Sequence, residues 1–234
     1  MKTIEEEYKK FTQHEHVLKR PDTYIGSVQD ATEAQWVFNP ETQKMENKVL
    51  TYPSGLYKTY DELVVNAADQ CQRDTTLDTI KVSISREGKS ITVENNGVGI
   101  PLGIHKEHKI HVPELIFANL LTSSNYNDNE KRTTGGKNGF GAKLANIFST
   151  RFELTVIHPE SKLKYTQVFT DNMTKIEKPV LEKCKDRKGL VRITYWPDLK
   201  RFGHTEFTDD FVKLISRRVY DIAACTPKKV NCFL

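Results

Sequence analysis

Between Ser54 and Arg73 the apolar residues Leu56, Tyr57, Tyr60, Leu63, Val64, Ala67, Ala68 and Cys71 recur at spacings of three and four, the period that turns one side of an α-helix toward a core. The stretch predicts one helix of roughly four to five turns. Directly after it the period falls to two. Ile80-Lys-Val-Ser-Ile-Ser85 alternates, and Ile91-Thr-Val-Glu94 follows across the turn residues Arg86 to Lys89, which is a hairpin signal. Strand-like runs return at 152–157, 165–170 and 190–195. Helices first, then a sheet built mostly from hairpins, predict an α+β two-layer sandwich, its mixed and mostly antiparallel sheet covered by helices on one face, rather than a doubly wound fold.

The remaining helices follow from local signals. Pro113 stands at the first-turn position that proline tolerates, ahead of Leu115, Ile116, Ala118 and Leu120. A helix over 142–148 opens from a glycine-rich turn, and one from Asp209 to Ala224 carries Phe211, Leu214, Ile215, Val219 and Ile222 on one face. The polar segment 122–138 is too long for a simple connector, so it is a candidate for function. At the start, a helix-capable stretch from Thr3 to Phe11 leads into Arg20-Pro-Asp-Thr-Tyr-Ile-Gly-Ser27. Pro21 forces extended geometry on Arg20 and Gly26 allows a turn, so residues 1–28 read as an arm or strap and 29–234 as one domain.

Composition excludes several classes. The 234 residues are 37% hydrophobic, enough chain for a proper core. The sequence offers no apolar run long enough for a membrane helix, and the opening MKTIEEEYKK is polar where a signal peptide would be apolar, so an intracellular chain is expected. Cys71, Cys184, Cys225 and Cys232 form no CxxC pair and are expected as reduced thiols. The net charge of +4 permits nucleic acid as a partner without requiring it.

Three segments could carry chemistry. On the first long helix Glu62, Asn66, Asp69 and Arg73 make one polar stripe. A solvated face is the plain reading of such a stripe. The apolar residues around it leave little helix circumference for water, however, and asparagine is a poor interior helix former. A buried Glu-x-x-x-Asn pair is chemically useful, since the carboxylate can deprotonate a water while the amide oxygen ligates a Mg²⁺ bridging phosphates. Next, Asn95-Asn96-Gly97-Val98-Gly99 joins two glycines that permit close backbone approach to an Asn able to read a base edge. It is no dinucleotide fingerprint, because Leu102 stands where a third glycine belongs. Third, Thr134-Gly-Gly-Lys-Asn-Gly-Phe-Gly-Ala-Lys143 sets four glycines around two lysines before a helix, the requirements of a phosphate cradle. It lacks the Gly-Lys-Ser/Thr of a P-loop. Thr122 to Asn125 add hydroxyl and amide groups suited to ribose or phosphate oxygens.

Together, in this order, the segments describe an ATP site without a Walker motif. The combination resembles the Bergerat-type ATPase superfamily of DNA gyrase, heat-shock chaperones, mismatch-repair ATPases and histidine kinases. Within it, the strings EHVLKRPDTYIGS, GLYKTYDELVVNAADQ, LLTSSNYNDNEKRTTGGKNGFGAKLANIFST, WPDLKRFG and RRVYDIA resemble the N-terminal ATPase region of eukaryotic-type, type IIA DNA topoisomerase II over nearly the whole length.

The resemblance implies ATP and Mg²⁺ as cofactors. It makes Glu62 the general base, Asn66 the Mg²⁺ ligand and Asn95 the adenine contact. Ser123, Ser124 and Asn125 fall at the ribose and phosphates. Gly136, Lys137, Asn138, Gly139, Phe140, Gly141, Ala142 and Lys143 form the lid, with Lys143 on the terminal phosphates. Thr194 matches the threonine lining the adenine pocket, and Tyr8 the arm residue that enters the partner protomer's nucleotide site. ATP binding is thereby expected to favour a homodimer with exchanged arms, a clamp that traps DNA during strand passage. Lys137 and Phe140 depart from the usual Arg and Tyr, losing a planar fork and a hydroxyl. The transducer and DNA-cleavage modules of the family lie outside these 234 residues, so binding with little hydrolysis is expected, and no catalytic tyrosine is assigned. The implied location is the nucleus for a cellular source or the host cytoplasm for a viral one. A chaperone- or histidine-kinase-like ATPase domain shares the pocket, and a non-catalytic nucleotide-binding regulatory module would bind without turnover.

Overall fold

A computed structural model describes residues 11–120 and 140–234. Helix α1 (Gln13–Lys19) starts at a capping box, in which Thr12 Oγ1 accepts from the Glu15 N–H at 3.2 Å while Glu15 Oε2 accepts from the Thr12 N–H at 2.8 Å. A 3₁₀ turn at Pro21–Thr23 leads to an antiparallel hairpin of β1 (Asp30–Asn39) and β2 (Lys44–Pro53). Helix α2 (Ser54–Arg73) follows at once. Then come β3 (Thr79–Ser85), β4 (Ser90–Gly97), α3 (Val112–Ala118), α4 (Gly141–Ile147), β5 (Ser149–His158), β6 (Leu163–Thr170), β7 (Lys175–Ile176), β8 (Val180–Lys183) and β9 (Gly189–Pro197). Helix α5 (Asp209–Cys225) and β10 (Asn231–Phe233) close the described chain.

The main sheet runs β10-β3-β4-β9-β5-β6-β7, with β8 also on β6. Every pairing is antiparallel except β10 on β3. Its faces are chemically opposite. Ile80, Val82, Ile91, Val93, Phe152, Leu154, Val156, Tyr165, Phe169, Ile193 and Tyr195 are buried, whereas the alternating Lys81, Ser83, Thr92, Glu94, Arg151, Glu153, Arg192 and Thr194 are exposed or half-buried. Leu56, Tyr60, Leu63, Val64 and Ala67 of α2 join the same core with Phe211, Ile215, Val219 and Ile222 of α5. Tyr60 is fully buried and its hydroxyl donates to the Ile215 carbonyl at 2.9 Å, tying the two helices together. The α+β two-layer sandwich and its mostly antiparallel sheet are as the sequence predicts. Among the described residues no helix is long and apolar enough to cross a membrane.

Several elements differ from expectation. The hairpin β1–β2 has no sequence forecast, because its strands bury almost nothing. Val37, Leu50 and Tyr52 alone form a small cluster with Leu214 of α5. Residues 3–10 of the expected first helix lie outside the described residues, while α1 begins two residues past its expected end. Val17 and Ile25 belong to the main core, the Arg201 guanidinium donates to the Leu18 carbonyl at 3.2 Å, and a His14–Asn172 contact of 2.6 Å adds to it. The segment from 12 to 28 therefore packs on its own domain, and the core does not stop at residue 28.

Candidate functional site

The polar stripe of α2 meets the start of α4. Gly141, the first residue of α4, lies so close that a Cβ there would stand 2.5 Å from Glu62 Oε2 and 3.6 Å from Asn66 Nδ2. A side chain at this position would displace the Glu62 carboxylate. The Glu62 side chain is 19% exposed and pairs with Lys58 Nζ at 2.5 Å, one turn back on the same helix. Asn66 is exposed, so the expectation of a buried Glu-x-x-x-Asn pair is corrected. The stripe lies beside Gly141 at the start of α4 instead of in the core. Asn66 has no hydrogen-bond partner among the described residues, which leaves its amide oxygen available. Asp69 is half-buried and Arg73 exposed.

The second half of the site is the end of β4, and it is scaffolded from beneath. Asn95 is buried on the helix-covered face, its amide donating to the Asn96 carbonyl at 2.9 Å. The Asn95 Oδ1 has no partner among the described residues. Asn96 points the other way: its Oδ1 accepts from the N–H groups of Asp78 and Thr79, both at 3.0 Å, and its amide donates to Asp78 Oδ1 at 2.5 Å. The Asn96 amide, the Thr79 hydroxyl and the Lys188 ammonium pull the Asp78 carboxyl down to about 2.

Asp74, buried just past α2, accepts from the Val98 N–H at 2.7 Å and from the Thr76 N–H and hydroxyl at 2.8 and 2.6 Å. Burial opposes its charge, yet the hydrogen bonds from Thr76, Val98 and Leu77 hold the carboxyl below the usual range. Gly97 stands at φ +120°, and a Cβ there would overlap Asp74 Oδ2. The Gly97-Val98 turn also walls a cleft of about 330 Å³, reached by Thr76, His158, Glu160, Arg187 and Lys188.

Of the glycine-rich lid, the structure describes its last four residues. Phe140 packs its ring 5.5 Å from that of Tyr24, which in turn holds His16 Nδ1 at 2.9 Å through its hydroxyl. Ala142 and Lys143 are buried, Lys143 to 4% exposure, and burial pushes its ammonium down to about 8. Tyr8, Ser123, Ser124, Asn125, Gly136, Lys137, Asn138 and Gly139 lie outside the described residues.

Thr194 is not brought to the site. It sits opposite Thr92 across the β4–β9 ladder, hydroxyl to hydroxyl at 2.9 Å, on the sheet face away from Asn95. The residue facing Asn95 across that ladder is Val191. A one-face error of this kind is invisible without the register, because strand position alternates with every residue. Lys58 and Asp74 are also additions. Lys58 was legible as a cation four residues before Glu62, whereas nothing in the sequence marks Asp74 beyond its place after the helix.

Residues 51–179 match the family described as histidine kinase-, DNA gyrase B-, and HSP90-like ATPase. The chain is 52% identical over 230 residues to DNA topoisomerase 2 of Arabidopsis thaliana, covering 98% of this chain and 16% of that protein. It is 50% identical over 232 residues to DNA topoisomerase 2 top-2 of Caenorhabditis elegans, covering 99% and 15%. The ATPase region of Saccharomyces cerevisiae topoisomerase II superposes with a TM-score of 0.95 at 45% identity, over 97% of this chain and 60% of that one. For the ATPase and transducer domains of DNA topoisomerase II from Balamuthia mandrillaris the TM-score is 0.96 at 43% identity, over 100% and 60%. The chain thus spans about a sixth of the length of these curated relatives. Over the helix, hairpin and lid start that build the site, it belongs to the histidine kinase-, DNA gyrase B- and HSP90-like ATPase family.

Proposed function

We propose that this chain is the ATP-binding part of a type IIA DNA topoisomerase, and that it binds Mg²⁺-ATP between α2, the Asn95–Gly99 turn and the lid. The observation that carries the reading is the meeting of Gly141 with Glu62 and Asn66, which brings the start of the phosphate cradle against a carboxylate and a neutral oxygen ligand. In this reading Glu62 takes the proton of the attacking water, and Lys58 fixes its orientation. Asn95 Oδ1 accepts from the adenine amino group, and Lys143 faces the terminal phosphates.

The donor set fits Mg²⁺. Asn66 offers a hard oxygen without a competing partner among the described residues, and this cation takes few protein ligands beside waters and phosphate oxygens. Asn66 would hold the ion, which would neutralise phosphate charge. Ser123, Ser124, Asn125 and residues 136–139 supply the remaining phosphate and ribose contacts, and Tyr8 those of a partner protomer. ATP binding then stabilises a closed homodimer around DNA in the nucleus, and hydrolysis with product release reopens it.

Titration calorimetry with a non-hydrolysable ATP analogue and Mg²⁺, beside light scattering, tests both levels. Saturable binding with a rise to dimer mass is the expected result. Binding at monomer mass would remove the arm-exchange clamp while leaving the pocket, and absence of binding to this chain and to a chain extended through the transducer would remove the site itself.

A further inference from the structure

We propose that the loop between the Asn95–Gly99 turn and α3 is a binding site for a Zn²⁺-class transition-metal ion, ligated by His105, Glu107 and His108. One donor atom from each lies within 4.8 Å of the others. Two imidazoles and a carboxylate are the ligand set that suits Zn²⁺, with three protein donors leaving a fourth position to water. Zn²⁺ bonds near 2.0–2.1 Å place tetrahedral donors about 3.4 Å apart, so closing on the ion takes a shift of about 1.4 Å or less. Side chains that are exposed or half-buried, as these are, make that shift by rotamer adjustment.

What distinguishes this cluster from scattered surface histidines is its backbone. The loop is closed twice, by the Val112 N–H on the Gly103 carbonyl at 3.0 Å and by the His105 N–H on the Ile110 carbonyl at 2.8 Å. Within it the Lys109 N–H donates to the His105 carbonyl at 2.9 Å, with Lys109 at φ +58°. The His105 and His108 rings already lie side by side, centroids 4.8 Å apart. The ordering entropy of the ligand loop is thus largely met before any metal arrives. Lys106 and Lys109 project from the same turn and oppose a cation, so the site is one of moderate affinity that hard, weakly ligated Mg²⁺ does not occupy. The loop joins the scaffolded end of β4 to α3, and an ion there would stiffen that connection without touching Glu62 or Asn66.

The test is titration of the 234-residue chain with Zn²⁺ alone, followed by calorimetry and by thermal unfolding, under reducing conditions and with excess Mg²⁺. One equivalent should bind and raise the unfolding temperature. His105→Ala and His108→Ala should each weaken binding at least about tenfold, because even outer-shell partners of a metal site cost that much, and Glu107→Gln should weaken it less. The more conservative His105→Gln and His108→Gln should behave alike, with circular dichroism confirming the fold. Absence of saturable binding, or binding undiminished in the double histidine variant, would overturn the site. So would a thiolate charge-transfer band on Co²⁺ substitution, which would move the metal to the cysteines.

Discussion

The two halves of the proposed nucleotide site differ in how far their side chains are held by partners. At the end of β4, Asp74 accepts hydrogen bonds from Thr76 and Val98, Asn96 is engaged at both ends, and the Asp74 carboxylate leaves no room for a side chain at Gly97. At the α2–α4 end, Glu62 is half-buried and paired with the Lys58 ammonium, and Asn66 is exposed. A binding half needs a fixed shape before the ligand comes, since ordering it afterwards would be subtracted from affinity. In the proposed function a reacting half must instead admit water, metal and phosphate together. Variants on the two sides should therefore separate binding from turnover.

The largest expected effect lies on the open side. Glu62→Gln keeps shape and removes the base, and in the whole protein it should lower ATP turnover by roughly 10²–10⁴-fold while nucleotide affinity changes little. Measured kcat and analogue affinity falling together would show that Glu62 shapes the pocket rather than moves a proton.

On the scaffolded side, Asp74→Ala leaves the Val98 and Thr76 donors without their acceptor, a loss of roughly 2–3 kcal/mol in folding stability. Denaturant unfolding should report it, and nucleotide affinity should fall as well. The pH dependence has a definite sign. The folded carboxyl sits below its ordinary value, so its contribution is present above the unfolded value and is lost as pH falls through the folded one. Asp74→Ala should flatten the acid limb of the stability curve.

This same division governed what could be read from the sequence. The core of the sandwich was legible because α2, β3, β4 and α5 each bury a periodic face. Glu62 and Asn66 stood out as candidates because four-residue spacing sets them on one helix face, and Asn95 because it ends an alternating strand ahead of two glycines. The β1–β2 hairpin was not, since both its faces are largely solvated and the alternation that marks a strand is diluted. Asp74 and Val191 were not, since their roles depend on the turn that Asp74 supports and on the β4–β9 register, both set by tertiary packing. The capping box Thr12–Glu15 was readable in retrospect, as a Thr-x-x-Glu run ahead of Val17.

Lys143, buried on α4, predicts a proton count. Its ammonium is pushed down to about 8 by burial, below its value in the unfolded chain. Between those two values the unfolded chain holds more protons, so folding stability should rise with pH there, and below pH 8 the buried charge remains a cost. A phosphate brought alongside restores the charge. Nucleotide binding at pH 8.5 should then take up roughly three-quarters of a proton, read by calorimetry in buffers of different ionisation enthalpy. Lys143→Met should abolish the uptake, and an uptake unchanged in that variant would place the titrating group elsewhere.

The smallest expected effect is the sharpest test of the register. Thr194 and Thr92 face each other on the solvent side of the sheet, where a cross-strand hydroxyl pair contributes about 0.2–1 kcal/mol. Thr194→Val should cost stability within that range and leave nucleotide affinity unchanged. Val191, across the ladder from Asn95 on the pocket face, should respond instead. Val191→Thr adds a hydroxyl beside the buried Asn95 amide, and a change in analogue affinity there, with none at Thr194, would confirm that adenine lies on the helix side of β4 and β9. Affinity lost on Thr194→Val would mean the opposite, and it would return Thr194 to the pocket.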